Sequence, residues 1–96
     1  MVSEIQQPRL EIHYCTKCRF ILRASWLCQE VLMTFEEKLG ECALIPADSG
    51  VFDVKLDGEI IYSKRKTGSF PESSELKQLI RDRIDPDLSL GHSDNK

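Results

Sequence analysis

The sequence predicts a two-layer α/β (α+β) sandwich in which two helices cover one face of a four-stranded mixed sheet. Three observations lead to this fold class. Residues Arg9–Tyr14 alternate between apolar and polar, as a half-buried strand does. A long segment with helical periodicity follows, and Asp57-Gly58 between two apolar runs is a strong hairpin signal. The predicted order is β-α-β-β-β-α, with the second face of the sheet open to water.

The size and composition of the chain suit a single globular domain. It has 96 residues, of which 41% are hydrophobic and 30% are charged. We expect the domain at residues 9–86, between a polar lead at residues 1–8 and a polar, loosely held tail at residues 87–96. A net charge of −3 without a basic half argues against nucleic acid as a partner.

The compartment follows from what the sequence lacks. The first residues have neither the basic region nor the apolar run of a signal peptide, and no segment reaches the roughly 20 apolar residues of a membrane span. We therefore expect a cytoplasmic protein with no membrane partner. Thiols stay reduced there, so four cysteines suggest redox or metal chemistry rather than a disulfide framework.

The first strand and the first helix each present one apolar face. In the strand, Leu10, Ile12 and Tyr14 alternate with Arg9, Glu11 and His13. The helix is predicted from about Arg19 to Leu39, with Gly40 as the residue that ends it. The core-facing residues have helical spacing and are Phe20, Ala24, Leu27, Val31, Phe35 and Leu39.

A second set of apolar residues lies on a neighbouring side of this helix. Leu22, Trp26 and Met33 are spaced by four and seven residues, so they share one side. One interpretation is that they widen the core-facing arc. The other is that they form an exposed partner surface close to the cysteine motif. The sequence leaves both open.

Three further strands are predicted after this helix. A short edge strand is predicted at Cys42–Pro46, where the proline suits an edge. Residues Val51–Leu56 alternate and form the first arm of the hairpin at Asp57-Gly58. Residues Glu59–Lys64 form the second arm.

The remainder contains a basic loop and a second helix. The loop is predicted at Lys64–Ser69, and the helix entry at Phe70–Glu75, with Pro71 tolerated in its first turn. Its apolar stripe has helical spacing and consists of Leu76, Leu79, Ile80 and Ile84. Pro86 ends the helix.

The cysteine motif lies where the first strand meets the first helix. In a reducing compartment, a Cys-x-x-Cys at such a junction is typical of thioredoxin-like redox chemistry, with Cys15 and Cys18 as the catalytic pair. A helix N-terminus favours a thiolate, which is the reactive form of cysteine. Lys17 and Arg19 add positive charge in a supporting role. The two-residue spacing lets one sulfur attack a disulfide and the other resolve the product.

Other chemistry is open to the remaining residues but has weaker signals. A structural zinc site needs four ligands, usually from two paired sets, and Cys28 and Cys42 do not make a second Cys-x-x-Cys. Buried packing suits these two thiols better. His92 in the tail is either solvated or a proton donor or acceptor for the motif. The basic segment Lys64–Lys66 is either solvated or binds an anionic partner such as glutathione.

The sequence resembles the selenoprotein W-like Rdx family in its bacterial, cysteine-containing form. The resemblance covers nearly the whole chain after the first few residues, and its ordered set of motifs is specific. The matching stretches are Ile12–Cys18, Ser49–Val54, Gly58–Ser63, Ser69–Glu72 and Leu90–His92. The resemblance implies a thioredoxin-like fold and a thiol-based redox role, but no particular substrate.

The resemblance bears on the roles of the two motif cysteines. In some family members the position of Cys18 is a selenocysteine, which implies that Cys18 is the attacking group. The thioredoxin analogy makes Cys15 the attacking group instead, and the sequence does not decide between them. Ordinary thioredoxins also place a proline opposite the motif, where this chain has Ser49-Gly50.

The expected function is thiol–disulfide exchange through the Cys15/Cys18 dithiol, which contributes to redox homeostasis without a bound cofactor or metal. Its partners would be protein thiols or disulfides, with glutathione as a candidate small partner. The alternative is a redox-switched interaction module that uses the motif and the surface of Leu22, Trp26 and Met33. A metal-binding protein is the weaker third hypothesis.

Overall fold

The computed structural model describes residues 7–94, except for the side chains of His92 and Ser93. Residues 1–6 of the predicted lead, the last two residues of the predicted tail and the role considered for His92 lie outside the described residues.

The order of the elements confirms the predicted β-α-β-β-β-α arrangement and adds one short helix. The strands and helices in chain order are β1 (Arg9–Cys15), α1 (Ile21–Phe35), β2 (Glu41–Ala47), β3 (Phe52–Leu56), β4 (Glu59–Ser63), α2 (Lys64–Thr67) and α3 (Ser73–Ile84). Short 3-10 turns follow α1 at Glu36–Lys38 and close the described chain at Gly91–Asp94.

The strands form one mixed sheet in the order β2-β1-β3-β4. The β1–β2 pair is parallel, because α1 carries the chain back across the sheet between them. The β1–β3 and β3–β4 pairs are antiparallel. Strand β2 is therefore at an edge, as predicted, and Pro46 occupies an exposed position on it.

The core lies between the sheet and the layer formed by α1 and α3. The predicted stripe of α1 is confirmed, because Ala24, Leu27, Val31 and Phe35 are at most 2% exposed. Helix α3 contributes Leu76 and Ile80, and the sheet contributes alternate residues of its two central strands: Leu10, Ile12, Phe52, Val54 and Leu56. This burial of apolar surface is what drives the two layers together.

Helix α1 begins and ends at residues other than those predicted. It begins at Ile21 rather than at about Arg19, and it ends at Phe35 because Glu36 adopts a left-handed φ of 48°. Gly40 is not the residue that ends the helix; its N–H donates a hydrogen bond to the Pro8 carbonyl over 2.8 Å. The 3-10 turn keeps Leu39 buried, so the apolar periodicity continues beyond the helix.

The hairpin is confirmed in detail. Asp57 and Gly58 both have positive φ angles, 49° and 90°, as a two-residue type I′ turn requires. The predicted basic loop is instead one turn of helix, α2, which ends at Gly68 with a φ of 87°. The Thr67 hydroxyl and the Ser69 carbonyl both bond the hydroxyl of Tyr62, which anchors this turn to β4.

Helix α3 starts with a capping box between Glu72 and Glu75. The residues after it are held more firmly than predicted. Leu88 and Leu90 pack against the core, and the Arg81 guanidinium pairs with Asp94 at 2.8 Å. A tail composed mainly of polar residues is thus fastened by its two leucines and one ion pair.

The second face of the sheet is polar, as predicted. Arg9 pairs with Glu11 at 2.9 Å and with Glu41 at 2.8 Å, and His13 Nε2 lies 2.8 Å from Glu11. Among the described residues, no helix has the length and apolar character needed to cross a membrane.

Candidate active site at the end of β1

The Cys15 and Cys18 side chains occupy different environments on the two sides of a tight turn. Cys15 is the last residue of β1 and is fully buried, and its N–H donates to the Val51 carbonyl over 2.8 Å. Thr16–Phe20, here called the motif turn, precedes α1. Cys18 lies on this turn and is exposed. The turn closes at Arg19, whose φ of 59° is sparsely populated for a residue with a side chain.

The two motif sulfurs share a hydrogen bond. The bond from the Cys18 thiol lowers the pKa of Cys15, and the backbone N–H groups of Gly50, Cys18 and Lys17 lower it further. Burial acts in the opposite direction. The same bond raises the pKa of Cys18, which keeps the shared proton. The pair therefore favours one thiolate, whose charge rests on the sulfur nearest the backbone donors.

Gly50 is a site residue that sequence reasoning missed. Its N–H bonds both sulfurs, and its φ of 79° suits a glycine in the turn before β3. A proline, which ordinary thioredoxins place opposite the motif, could not donate this bond. The sequence shows that Ser49-Gly50 departs from the thioredoxin pattern, but the contact of Gly50 with the sulfurs depends on the pairing of β1 with β3.

The cation that acts on Cys18 comes from a distant part of the sequence. The ammonium group of Lys64, at the start of α2, lowers the pKa of Cys18 by its charge. The side chains of Lys17 and Arg19, predicted for this role, are exposed, and Lys17 acts on Cys15 through its backbone N–H. The N-terminus of α1 lies further from the cysteines than predicted, since the helix begins at Ile21 rather than at about Arg19.

An aromatic cluster positions Lys64. Phe20, Phe52 and Phe70 meet edge to face, with centroid distances of 4.8 Å, 5.0 Å and 6.1 Å. The Lys64 ammonium lies 5.2 Å from the Phe70 ring centroid, and the Arg23 guanidinium lies 4.9 Å from the same centroid. These cation–π contacts hold two cations beside the motif turn.

The second apolar side of α1 is exposed. Leu22, Trp26 and Met33, here called the α1 patch, are 74%, 44% and 66% exposed. The interpretation that they widen the core-facing arc is therefore wrong. Leu22 and Trp26 line a shallow depression together with Arg23, so the patch reaches the cations beside the motif turn.

The remaining candidate ligands do not assemble around a metal in the described part of the chain. No group of three or more histidine, cysteine, aspartate and glutamate side chains is placed to hold an ion there. Cys28 and Cys42 are half-buried and pack against the core, which confirms their predicted packing.

Comparison with known proteins identifies relatives of this chain. The sequence model of the Rdx family matches residues 9–82. A SelT-like protein of Arabidopsis thaliana is 36% identical over 77 residues, which are 79% of this chain and 32% of the plant protein. Migration and invasion enhancer 1 of Bos taurus is 27% identical over 78 residues, which are 76% of this chain and 62% of the bovine protein. This chain thus spans less than two thirds of either relative.

Two crystal structures resemble the chain over nearly their whole length. A protein from Bordetella parapertussis has a TM-score of 0.78 and 45% identity, covering 79% of this chain and 96% of the other. A selenoprotein W-related protein from Vibrio cholerae has a TM-score of 0.78 and 43% identity, covering 80% and 96%. These matches confirm the thioredoxin-like fold. With the family match at residues 9–82, they show that this chain belongs to the Rdx family, the selenoprotein W-like group of thioredoxin-like redox proteins.

Proposed function

We propose that this protein catalyses thiol–disulfide exchange through Cys15 and Cys18 in the reducing environment of the cytoplasm. The observation that carries the proposal is the asymmetry of the pair. The buried sulfur of Cys15 accepts three backbone hydrogen bonds, while the hydrogen-bonded partner sulfur of Cys18 is exposed. An exposed thiol that can pass its proton to an adjacent thiolate is suited to meet a substrate disulfide.

The exchange proceeds in two displacements. As the proton of Cys18 moves to Cys15, the Cys18 thiolate attacks one sulfur of the substrate disulfide, whose S–S bond breaks and releases one thiolate. A mixed disulfide now joins Cys18 to the substrate. Cys15 then attacks the Cys18 sulfur, its proton goes to the released thiolate, and the second substrate thiolate leaves. Two electrons pass to the substrate, and the Cys15–Cys18 disulfide remains.

A small thiol such as glutathione, or a thioredoxin-type reductase system, returns two electrons to the pair. This assigns Cys18 as the attacking group and Cys15 as the resolving group. The assignment follows accessibility, because a fully buried Cys15 cannot approach the disulfide of a folded protein without movement of the turn.

Trapping of mixed disulfides tests the proposal. Cys15→Ser removes the resolving thiol, so substrates should accumulate on Cys18 and be released by dithiothreitol. Cys18→Ser should capture little, because the remaining motif thiol is buried. The double variant with both serines measures capture by Cys28 and Cys42. Greater capture by Cys18→Ser would reverse the roles, and capture at the level of the double variant by both single variants would refute the exchange reaction.

A second function, a redox-switched interaction module, is favoured by the α1 patch. The patch is apolar and exposed, and it continues into the cations Arg23 and Lys64 beside Cys18. The partner that fits is a protein segment with apolar and acidic residues next to its reactive thiol or disulfide. In this function the oxidation state of the motif controls binding, without turnover.

Trp26→Ala separates binding from stability. An exposed Trp26 should contribute little to the unfolding midpoint, whereas the buried neighbour variant Leu27→Ala should cost roughly 2–5 kcal/mol. Capture of protein substrates by the Cys15→Ser variant should fall when Trp26→Ala is added, while reduction of glutathione disulfide by the protein with native Cys15 and Cys18 stays unchanged. Unchanged protein capture would remove the patch from partner binding. Binding that follows the redox state in the absence of turnover would favour the second function.

A further inference from the structure

A second pair of cysteines lies between α1 and β2, and the chemistry of Cys15 and Cys18 does not use it. Cys28 stands at the edge of the buried stripe of α1, four residues after Ala24. Cys42 faces the same layer, because the parallel register of β1 and β2 aligns it with the buried Leu10. The Cys28 side chain on α1 and the Cys42 side chain on β2 thus face each other between the two layers, and both pack against the core.

The two thiols are in contact as well as in the same layer. Both are free, and the Cys42 thiol donates a hydrogen bond to the Cys28 sulfur. Burial raises the pKa of Cys42, and this bond raises it further. Both residues are half-buried, so a small reagent can still reach the pair.

This pair is remote from the motif. Along the β1–β2 ladder, Cys42 aligns with Leu10, while Cys15 aligns with Ala47. The two rungs are five residue steps apart along the strand, which is about 16 Å at 3.3 Å per residue. The two pairs in one molecule are therefore too far apart to exchange disulfides with each other directly.

We propose that Cys28 and Cys42 form a second, slower disulfide that fastens the edge strand β2 to α1. The oxidant is a low-molecular-weight disulfide such as oxidised glutathione. The Cys28 thiolate attacks it, the glutathione S–S bond breaks, one glutathione thiolate leaves, and a mixed disulfide forms on Cys28. Cys42 then attacks the Cys28 sulfur and displaces the second glutathione. Two glutathione thiols carry away the two electrons and the two cysteine protons.

The structure indicates both the rate and the effect of this step. Because burial and the hydrogen bond from its thiol keep Cys42 protonated, its thiolate is scarce at neutral pH. We expect the disulfide to form ~10-fold or more slowly than that of Cys15 and Cys18. Once formed, it closes a loop between two core elements and should raise the unfolding midpoint by ~10 °C.

Peptide mapping of the oxidised full-length protein tests this. Trypsin places the four cysteines in four separate peptides, at residues 10–17, 18–19, 24–38 and 39–55. After incubation with oxidised glutathione and blocking of free thiols, peptides 24–38 and 39–55 should appear linked, two hydrogens lighter than their sum. They should appear later than the linked pair 10–17 and 18–19. The midpoint should rise with the linked fraction and return after dithiothreitol.

Matched variants complete the test. The link should persist in Cys15→Ser/Cys18→Ser and disappear in Cys28→Ala and in Cys42→Ala, the conservative changes for half-buried thiols. Persistent glutathione adducts, links only between molecules, or thiols that stay reduced under these conditions would each overturn the proposal. Its outcome is separate from that of the proposed exchange reaction, because the wild-type map reports both pairs independently.

Discussion

The two cysteine pairs of this protein have different spacing and different surroundings. Cys15 and Cys18 are close in sequence, lie on either side of a turn, and include one exposed sulfur. Cys28 and Cys42 come from a helix and a strand and are both half-buried. In each pair the two sulfurs share a hydrogen bond. The sulfur–sulfur contact therefore does not distinguish the pairs.

The pairs differ in the groups that surround each sulfur and stabilise or destabilise its thiolate. Three backbone N–H groups bond Cys15 and lower its pKa, whereas burial is the main cause that raises the pKa of Cys42. A thiolate needs donors or cations, and at Cys42 burial outweighs the charge of Arg9, which lowers the pKa of that thiol. We therefore expect Cys15 and Cys18 to be the reactive pair at neutral pH. Cys28 and Cys42 are suited to slow formation of a disulfide that stabilises the fold.

The largest difference between the pairs should appear in turnover. In an assay with glutathione disulfide and a coupled reductant, Cys18→Ser should lower the rate to that measured without the protein, because the covalent route is lost. Cys28→Ala, the matched change in the second pair, should keep the wild-type rate. A comparable loss in both variants would mean that the second pair takes part in turnover.

The next difference should appear in the pH dependence of alkylation, measured for each cysteine by peptide mapping. Because the pKa of Cys15 is lowered, the first ionisation of the hydrogen-bonded pair should occur below the free-thiol value of roughly 8.5. Alkylation of exposed Cys18 should begin to rise there, since the charge can pass to Cys18 through the shared proton, although the pKa of Cys18 itself is raised. The pKa of Cys42 is raised, so its alkylation rate should still be rising at alkaline pH. Alkylation rates of Cys18 and Cys42 that begin to rise at the same pH would contradict the assigned environments.

The smallest difference should come from Lys64, whose charge acts on Cys18 and not on Cys42. Lys64→Gln removes a charge that lowers the pKa of Cys18, so alkylation of Cys18 at neutral pH should slow by roughly two- to threefold. Alkylation of Cys42 should stay unchanged, since Lys64 does not act on it. Lys66→Gln, on the same short helix, is the control. An equal effect of both substitutions would point to the overall charge of α2 rather than to Lys64.

The sequence by itself determined the layers, the order of the elements and the position of the motif. Helical spacing identified Ala24, Leu27 and Val31 as buried, because side chains three and four residues apart share one face of a helix. Asp57-Gly58 identified the hairpin, since this dipeptide tolerates the positive φ angles of a type I′ turn. Both signals depend only on neighbouring residues, so they predict local structure without information on the rest of the fold.

Only the tertiary structure decided which groups surround each sulfur. The Gly50 N–H reaches the motif because β3 pairs with β1, and Lys64 reaches it because the aromatic cluster holds α2 beside the motif turn. Cys28 meets Cys42 because β2 lies parallel to β1 beneath α1. Each of these contacts joins segments far apart in sequence, and periodicity gives the face of a residue but not the partner opposite it.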